Sequence, residues 1–157
     1  MVTGGYPYPS SAGVSSKMRQ QASRSTRPEV ALRRELHRRG LRYRVQQAVL
    51  TDVRRTADIV FGPARVVVDV RGCYWHGCAE HGSHPRANSG YWEAKLARNR
   101  ARDVDTERRV RAAGWEVMVV WEHEDPVAAA DRVQATVELH RPPWGPSTAR
   151  RGGSAAV

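Results

Sequence analysis

Cysteine, lysine and phenylalanine are nearly missing from this chain. Of its 157 residues only two are cysteine and one is phenylalanine. Two cysteines cannot build the disulfide framework of a small secreted domain, so thiols in a reducing, cytoplasmic compartment are expected. No stretch approaches the ~18 apolar residues a membrane helix needs. The first 16 residues hold no apolar core of the signal-peptide kind. There is no internal repeat. Acidic residues are also scarce, 16 against 26 lysines and arginines, for a net charge of +10. Lys17 and Lys95 are the only lysines. A domain this basic usually meets a polyanion, most often nucleic acid. Arginine excess also follows from a GC-rich genome.

What is present is enough for one domain. Forty per cent of the residues are apolar, which supports a real core. Residues 1–15 are rich in Gly, Pro, Ser and Tyr, and residues 141–157 in Pro, Gly and Arg. Both are expected to be disordered, leaving a folded unit over 16–140. Its first part, 16–27, is a basic arm suited to phosphates, with Lys17 and Arg19 as contacts. An ordinary disordered tail explains the same composition.

Thr26, Pro28 and Glu29 predict a helix opened by a capping box. It runs to about residue 39, with Gly40 as the stop and Leu32 and Leu36 on the core face. Glu29 falls on that same face. It either closes the capping box or points a carboxylate toward a site. Alternation over 41–45 predicts a strand, 46–56 a polar loop, and 57–61 and 64–70 two further strands joined by Gly62-Pro63. Ser89 caps a long helix over 90–113, stopped by Gly114. Residues 115–121 form a buried strand, and Asp125-Pro126 starts a last helix to about residue 139. The order α-β-β-β-α-β-α predicts an α/β fold with a mixed sheet: two hairpins, then a helical crossover.

Asp58 stands in the middle of an apolar strand, where a charge is costly unless paired or metal-bound. Asp69 and Arg71 lie near the end of the next strand, 11 and 13 positions on. Carboxylates converging at one end of a sheet suit Mg²⁺, which can polarise a phosphodiester and activate water. A buried, purely structural Asp–Arg pair is the alternative.

Residues 72–84 concentrate both cysteines and three of the six histidines. Cys73, Cys78 and His81 are separated by four and two residues, a spacing compatible with a closed structural zinc site. His76, His84 and His123 compete for the fourth place. His123 follows the last strand, which is expected beside the third. Two bare thiols or a Cys73–Cys78 disulfide are the alternatives. Tyr74 and Trp75 either fold inward or form a wedge that stacks on bases. His76, if not a ligand, is a candidate general base.

Several stretches taken together carry a resemblance. They are Arg-Thr-Ala-Asp58-Ile-Val-Phe, Gly-Cys73-Tyr-Trp-His76-Gly-Cys78, and Tyr-Trp92-Glu-Ala-Lys95-Leu-Ala-Arg-Asn99-Arg-Ala-Arg-Asp103, followed by Gly-Trp115 and Val-Trp121-Glu. From about residue 16 to 124 the chain resembles the very-short-patch repair (Vsr) DNA mismatch endonucleases. The resemblance implies a restriction-endonuclease-like fold. It implies a Mg²⁺-dependent nick 5′ of the thymine in a T:G mismatch left by deaminated 5-methylcytosine. The implied partner is mismatched double-stranded DNA, bound by a monomer near the bacterial nucleoid, with room for a functional link to a cytosine-5 DNA methyltransferase.

Roles follow by resemblance. Asp58 and the backbone carbonyl of Val70 would hold Mg²⁺, and His76 would be the base. Glu29, Asn99 and Asp103 would support the site, with Asp69 as a further carboxylate. Met18, Tyr74 and Trp75 would wedge into DNA, and Arg71 would join Lys17 and Arg19 as a DNA contact. Cys73, Cys78, His81 and His123 would bind Zn²⁺, with His123 where the best-known pattern has cysteine. Arg71 stands where a small acidic residue or His is expected, and Asp69 where an apolar residue is expected. Two other readings remain: a nickase of the same fold acting on another DNA structure or in phage defence, and a non-catalytic zinc-stabilised DNA-binding module.

Overall fold

A computed structural model describes residues 25–82 and 89–142. Lys17, Met18, Arg19, His84, residues 1–15 and nearly all of the 141–157 tail lie outside the described residues. The elements are α1 (Arg27–Arg38), β1 (Arg44–Ala48), β2 (Thr56–Phe61), β3 (Val66–Arg71), α2 (Cys73–His76), α3 (Ser89–Ala112), β4 (Glu116–Trp121) and α4 (Pro126–His140). The strands form one sheet in the order β1-β2-β3-β4. β1–β2 and β2–β3 are antiparallel, while β3–β4 is parallel. The expected mixed sheet is therefore present, and the crossover carries α2 and α3.

Helices cover both faces. Alternation along β3 sends Val66 and Val68 to a large core that includes Leu32 and Leu36 of α1 and Ala129, Val133 and Val137 of α4. It sends Val67 to a smaller core with Val60, Val110 of α3 and Val117. Leu32 and Leu36 are essentially inaccessible to solvent, and truncating such a leucine to alanine costs about 2–5 kcal/mol.

The long helices stop where glycine permits. Gly40 adopts φ +79°. Its N–H donates to the His37 carbonyl, and that of Leu41 to the Leu36 carbonyl. This is the Schellman pattern, sealed by contact between two buried leucines. Gly114, at φ +82°, repeats it with Trp115 and Val110 at the end of α3.

Four expectations need correction. The first strand is Arg44–Ala48, three residues later than the alternation suggested. Leu41 and Tyr43 are apolar because they cover α1, where the Tyr43 hydroxyl donates to the Arg33 carbonyl. The third strand starts at Val66, because Arg65 takes φ +53° in the turn. The capping box does not form: Thr26 makes no side-chain cap, and Glu29 accepts from Arg33 instead. Cys73–His76 is a single helical turn, which adds one helix to the expected order.

Candidate active site and metal centre

The C-terminal end of β3 is where the hairpin stops being a regular ladder. The last β2–β3 pair toward that end is Ile59↔Val68. Beyond it the N–H of Val70 donates to Asp58 Oδ2 at 2.8 Å. On the other flank Gln46 takes φ +51° and its side-chain amide donates to Asp58 Oδ1 at 2.9 Å. Two donors thus hold a carboxylate in a largely buried position. Burial pushes the Asp58 pKa up, the Val70 N–H opposes it, Asp69 adds to it, Gln46 opposes it and Glu29 adds again. The net result is a pKa of about 6. A carboxylate surrounded by other acids and short of cations is a ready cation ligand.

Glu29 is 2% exposed and paired with Arg33 at 3.1 Å. It enters from α1, on the face opposite α3.

Asp69 and Arg71 turn to the α3 face, as alternation requires. Arg71 is 8% exposed. Its Nε donates to Asp69 Oδ2 at 3.1 Å and its Nη2 to Glu107 Oε1 at 2.7 Å. Arg71, expected as a DNA contact, has its guanidinium turned inward and bound to two carboxylates. Burial alone would lower its pKa. The neighbouring charges of Asp69, Glu107 and Asp103 outweigh burial and raise it. Asp69 is correspondingly tied to Arg71, though its charge still reaches Asp58.

His76 ends the single turn of α2. Its Nδ1 lies 2.6 Å from Asp103 Oδ2 on α3. With the Asp103 carboxylate accepting from Nδ1, a neutral His76 ring has its lone pair on Nε2. The Asn99 amide, one turn before Asp103, donates to the Trp75 carbonyl at 3.2 Å. Asn99 thus anchors the α2 turn to α3.

Tyr74 and Trp75 join Trp92 of α3, with ring centroids 4.9–6.0 Å apart. The Lys95 ammonium lies 5.2 Å from the Trp92 ring and 5.3 Å from that of Trp75. The rings are half-buried.

Cys73, Cys78, His81 and His123 form a separate cluster whose ligand atoms all lie within 4.8 Å of one another. His123 Nδ1 is 3.0 Å from the Cys73 sulfur and 3.7 Å from the Cys78 sulfur. Two thiols and two imidazoles at this spacing could hold a metal ion. Zinc bonds of ~2.0–2.3 Å imply tetrahedral edges of roughly 3.3–3.8 Å, so a small inward movement suffices. His76 is not in the cluster; its Nδ1 belongs to Asp103. His123 arrives because β4 lies parallel beside β3. The Glu122 carboxylate also accepts from the Cys73 N–H at 2.6 Å, fixing the start of α2. Gly82 closes the loop so tightly that a Cβ there would sit 2.5 Å from the Cys78 carbonyl oxygen.

Sequence reasoning missed Gln46 and Glu107. Gln46 was hidden by the misplaced first strand. Glu107 carried a usable signal, since it lies four residues after Asp103 and so on the same helical face.

The family model "DNA mismatch endonuclease Vsr" matches residues 10–81. The "Type II nicking enzyme V.NaeI" of Lentzea aerocolonigenes is 43% identical over 141 residues, covering 88% of this chain and 83% of that protein. The "Type II nicking enzyme V.XorIIP" of Xanthomonas oryzae pv. oryzae is 44% identical over 108 residues, covering 68% and 77%. The "DNA mismatch endonuclease Vsr" of Escherichia coli (strain K12) is 34% identical over 112 residues, covering 69% and 68%. With relatives of this similarity over most of its length, the chain belongs to the Vsr family of DNA endonucleases.

Proposed function

We propose that this chain is a Mg²⁺-dependent endonuclease that nicks one DNA strand 5′ of the thymine in a T:G mismatch. The observation that supports this is two differently prepared groups, one held by the Val70 N–H near the end of β3 and one on the helical turn that follows that strand. Asp58 is a half-buried carboxylate whose pKa is raised by burial and by nearby acids, and His76 is an imidazole held through Nδ1 by Asp103. A restriction-endonuclease-like core, acting as a monomer on duplex DNA, is the framework that fits this sheet.

Asp58 suits Mg²⁺ by donor chemistry: a hard oxygen, in reach of the charges of Asp69 and Glu29. The Val70 carbonyl is the second proposed ligand. Such an ion supplies Lewis-acid polarisation of the phosphate and a lowered pKa for attacking water. His76 Nε2 would take the proton from the attacking water, and Asp103 would stabilise the resulting imidazolium. Asn99 holds the α2 turn that carries His76. Tyr74 and Trp75 are proposed to enter the duplex beside the mismatch, with Met18, Lys17 and Arg19 closing on it from the N-terminal arm. Cys73, Cys78, His81 and His123 are proposed to bind a structural Zn²⁺ that ties α2 to the turn after β4. A cytosine-5 DNA methyltransferase is the class of enzyme whose product yields this substrate on deamination.

The test is a panel of matched, T:G-mismatched and modified duplexes, incubated with and without Mg²⁺. The expected result is one nick, 5′ of the mismatched thymine, only with the ion. Equal cutting of matched DNA sinks the mismatch reading. The name type II nicking enzyme specifies no mismatch; a second reading is a nickase for another DNA structure, and cutting of the modified duplexes alone would favour it.

A further inference from the structure

Arg71 has no role in the chemistry proposed above, yet it is among the most buried charged groups described. A buried guanidinium is costly unless every strong donor direction is used. Here Nε goes to Asp69 of β3 and Nη2 to Glu107 of α3. One side chain therefore bridges the strand end that carries Val70 and the helix that carries Asp103. Glu107 and Asp103 are four residues apart on α3 and share a face. Asp103 is also near enough for its charge to act on Arg71.

Packing on this side is thin. The apolar cluster between α3 and the sheet has only Val60, Val67, Val110 and Val117 as buried members. A cavity of about 30 Å³ opens beside it, and Asp69, Arg71 and Glu107 are in its wall. That is room for a water. Beside a cluster with so few buried side chains, the polar bridge contributes to setting the distance between strand and helix.

We propose that Arg71 is a positioning residue: clamped between Asp69 and Glu107, it fixes the face of α3 that presents Asp103, and through Asp103 the ring of His76. The proposal rests on the reading of His76 as the base. It concerns a residue that departs from the pattern the sequence resembles. Arg71 touches no reacting atom. The groups facing it are Asp69 from its own strand and Glu107 and Asp103 from α3, and Glu107 is also held by Arg111 through its other oxygen at 2.9 Å.

The experiment compares Arg71→Met, Arg71→Lys and Glu107→Gln in the full, metal-loaded chain. Single-turnover nicking gives rate and half-saturating duplex concentration separately. Proton NMR follows the Nδ1–H resonance of His76 shared with Asp103. We expect Arg71→Met to slow nicking about 10-fold or more, leave half-saturation within about 2-fold, and shift or broaden the His76 resonance. Arg71→Lys is expected to restore part of both readouts, because an ammonium can reach one carboxylate at a time. Glu107→Gln should show a smaller version of the same change, and it keeps the test alive if Arg71→Met does not fold. An unmoved resonance in both Arg71→Met and Glu107→Gln overturns the proposal. So does a loss confined to duplex affinity, which would make Arg71 a DNA contact. If the unaltered chain nicks no duplex, the reading of His76 as a base fails, while the resonance still decides whether Arg71 positions that ring.

Discussion

The N–H of Val70 donates to the carboxylate of Asp58 across 2.8 Å, just where the β2–β3 ladder has ended. A backbone group that would otherwise need a strand partner is spent on holding a side chain. The carboxylate is kept in a place where its own charge is unfavourable, and this relationship sets the first prediction.

Asp58→Asn is expected to stabilise the ion-free fold while abolishing nicking. The folded pKa of Asp58 is raised from 3.8 to about 6, chiefly by burial. Both states hold the proton below 3.8. Between 3.8 and 6 only the unfolded chain releases it, so stability falls as pH rises, and the loss is complete above 6. At ~1.36 kcal/mol per pH unit the loss is roughly 3 kcal/mol, an order-of-magnitude figure. Thermal melts of the two proteins without Mg²⁺ should differ at pH 7.5 and converge near pH 3.5. Equal melting at pH 7.5 would refute the buried-acid account. Added Mg²⁺ should stabilise the parent and not the variant.

His76→Ala should lower the nicking rate by ~10²–10⁴-fold, the usual contribution of a general base. Binding of the duplex should change little. Asp103→Asn keeps the shape but no longer demands a proton on Nδ1, and a loss on the order of 10-fold or more is expected. Single-turnover kinetics with a gel-shift control measures both. Unchanged nicking in His76→Ala removes it from the mechanism.

Removing metal from the cysteine–histidine cluster should unfasten α2. Burial, then hydrogen bonding and charge from Cys78, push the Cys73 thiol up to about 11, so at neutral pH the metal-free cysteine is protonated. Zinc uptake must therefore release protons. Titrating Zn²⁺ into chelated protein in weak buffer should show acidification and a higher melting temperature. Cys78→Ser should lose both effects, and His123→Cys should keep them, since zinc accepts either ligand. A metal content of zero in protein purified with zinc present would remove the site.

Acid should loosen the helix contacts before the sheet. Arg38, then Arg39, hold Glu35 at about 2, below its usual 4.5. Arg55, then Arg108, hold Asp105 at about 2, below its usual 3.8. Folded pKa values below unfolded ones give stability that is present above about pH 4.5 and lost as pH falls through 2. Urea midpoints should drop across that window. Glu35→Gln and Asp105→Asn should each be less stable than the parent at pH 6 and equal to it near pH 1.5. A constant gap down to pH 1.5 would show these pairs are not the cause.

Where chain chemistry is local, the sequence was a good guide. Gly40 and Gly114 mark helix ends because only glycine takes that backbone cheaply, and both ends lie there. Asp125 caps α4 by accepting from the Ala128 N–H, as its place before Pro126 predicts. The mixed sheet and the approach of His123 to the cysteines follow from element order. The failures are long-range. Leu41 and Tyr43 alternate like a strand because they cover a helix. Nothing local to Arg71 says that Glu107 will stand opposite it and take its guanidinium inward. Gln46 reads as loop because its use depends on Asp58, 12 residues away.

The single turn Cys73–His76 is a spacer of fixed length. Cys73 starts it in the cysteine–histidine cluster, His76 ends it against Asp103, and Cys78 returns to the cluster two residues later. Each residue of helix turns a side chain by about 100°. One insertion or deletion between the cysteines would swing His76 away from Asp103, or else pull a sulfur out of reach of His123. This segment can change its residues but not its count, and length variation within it should be the rarest kind of change the protein survives.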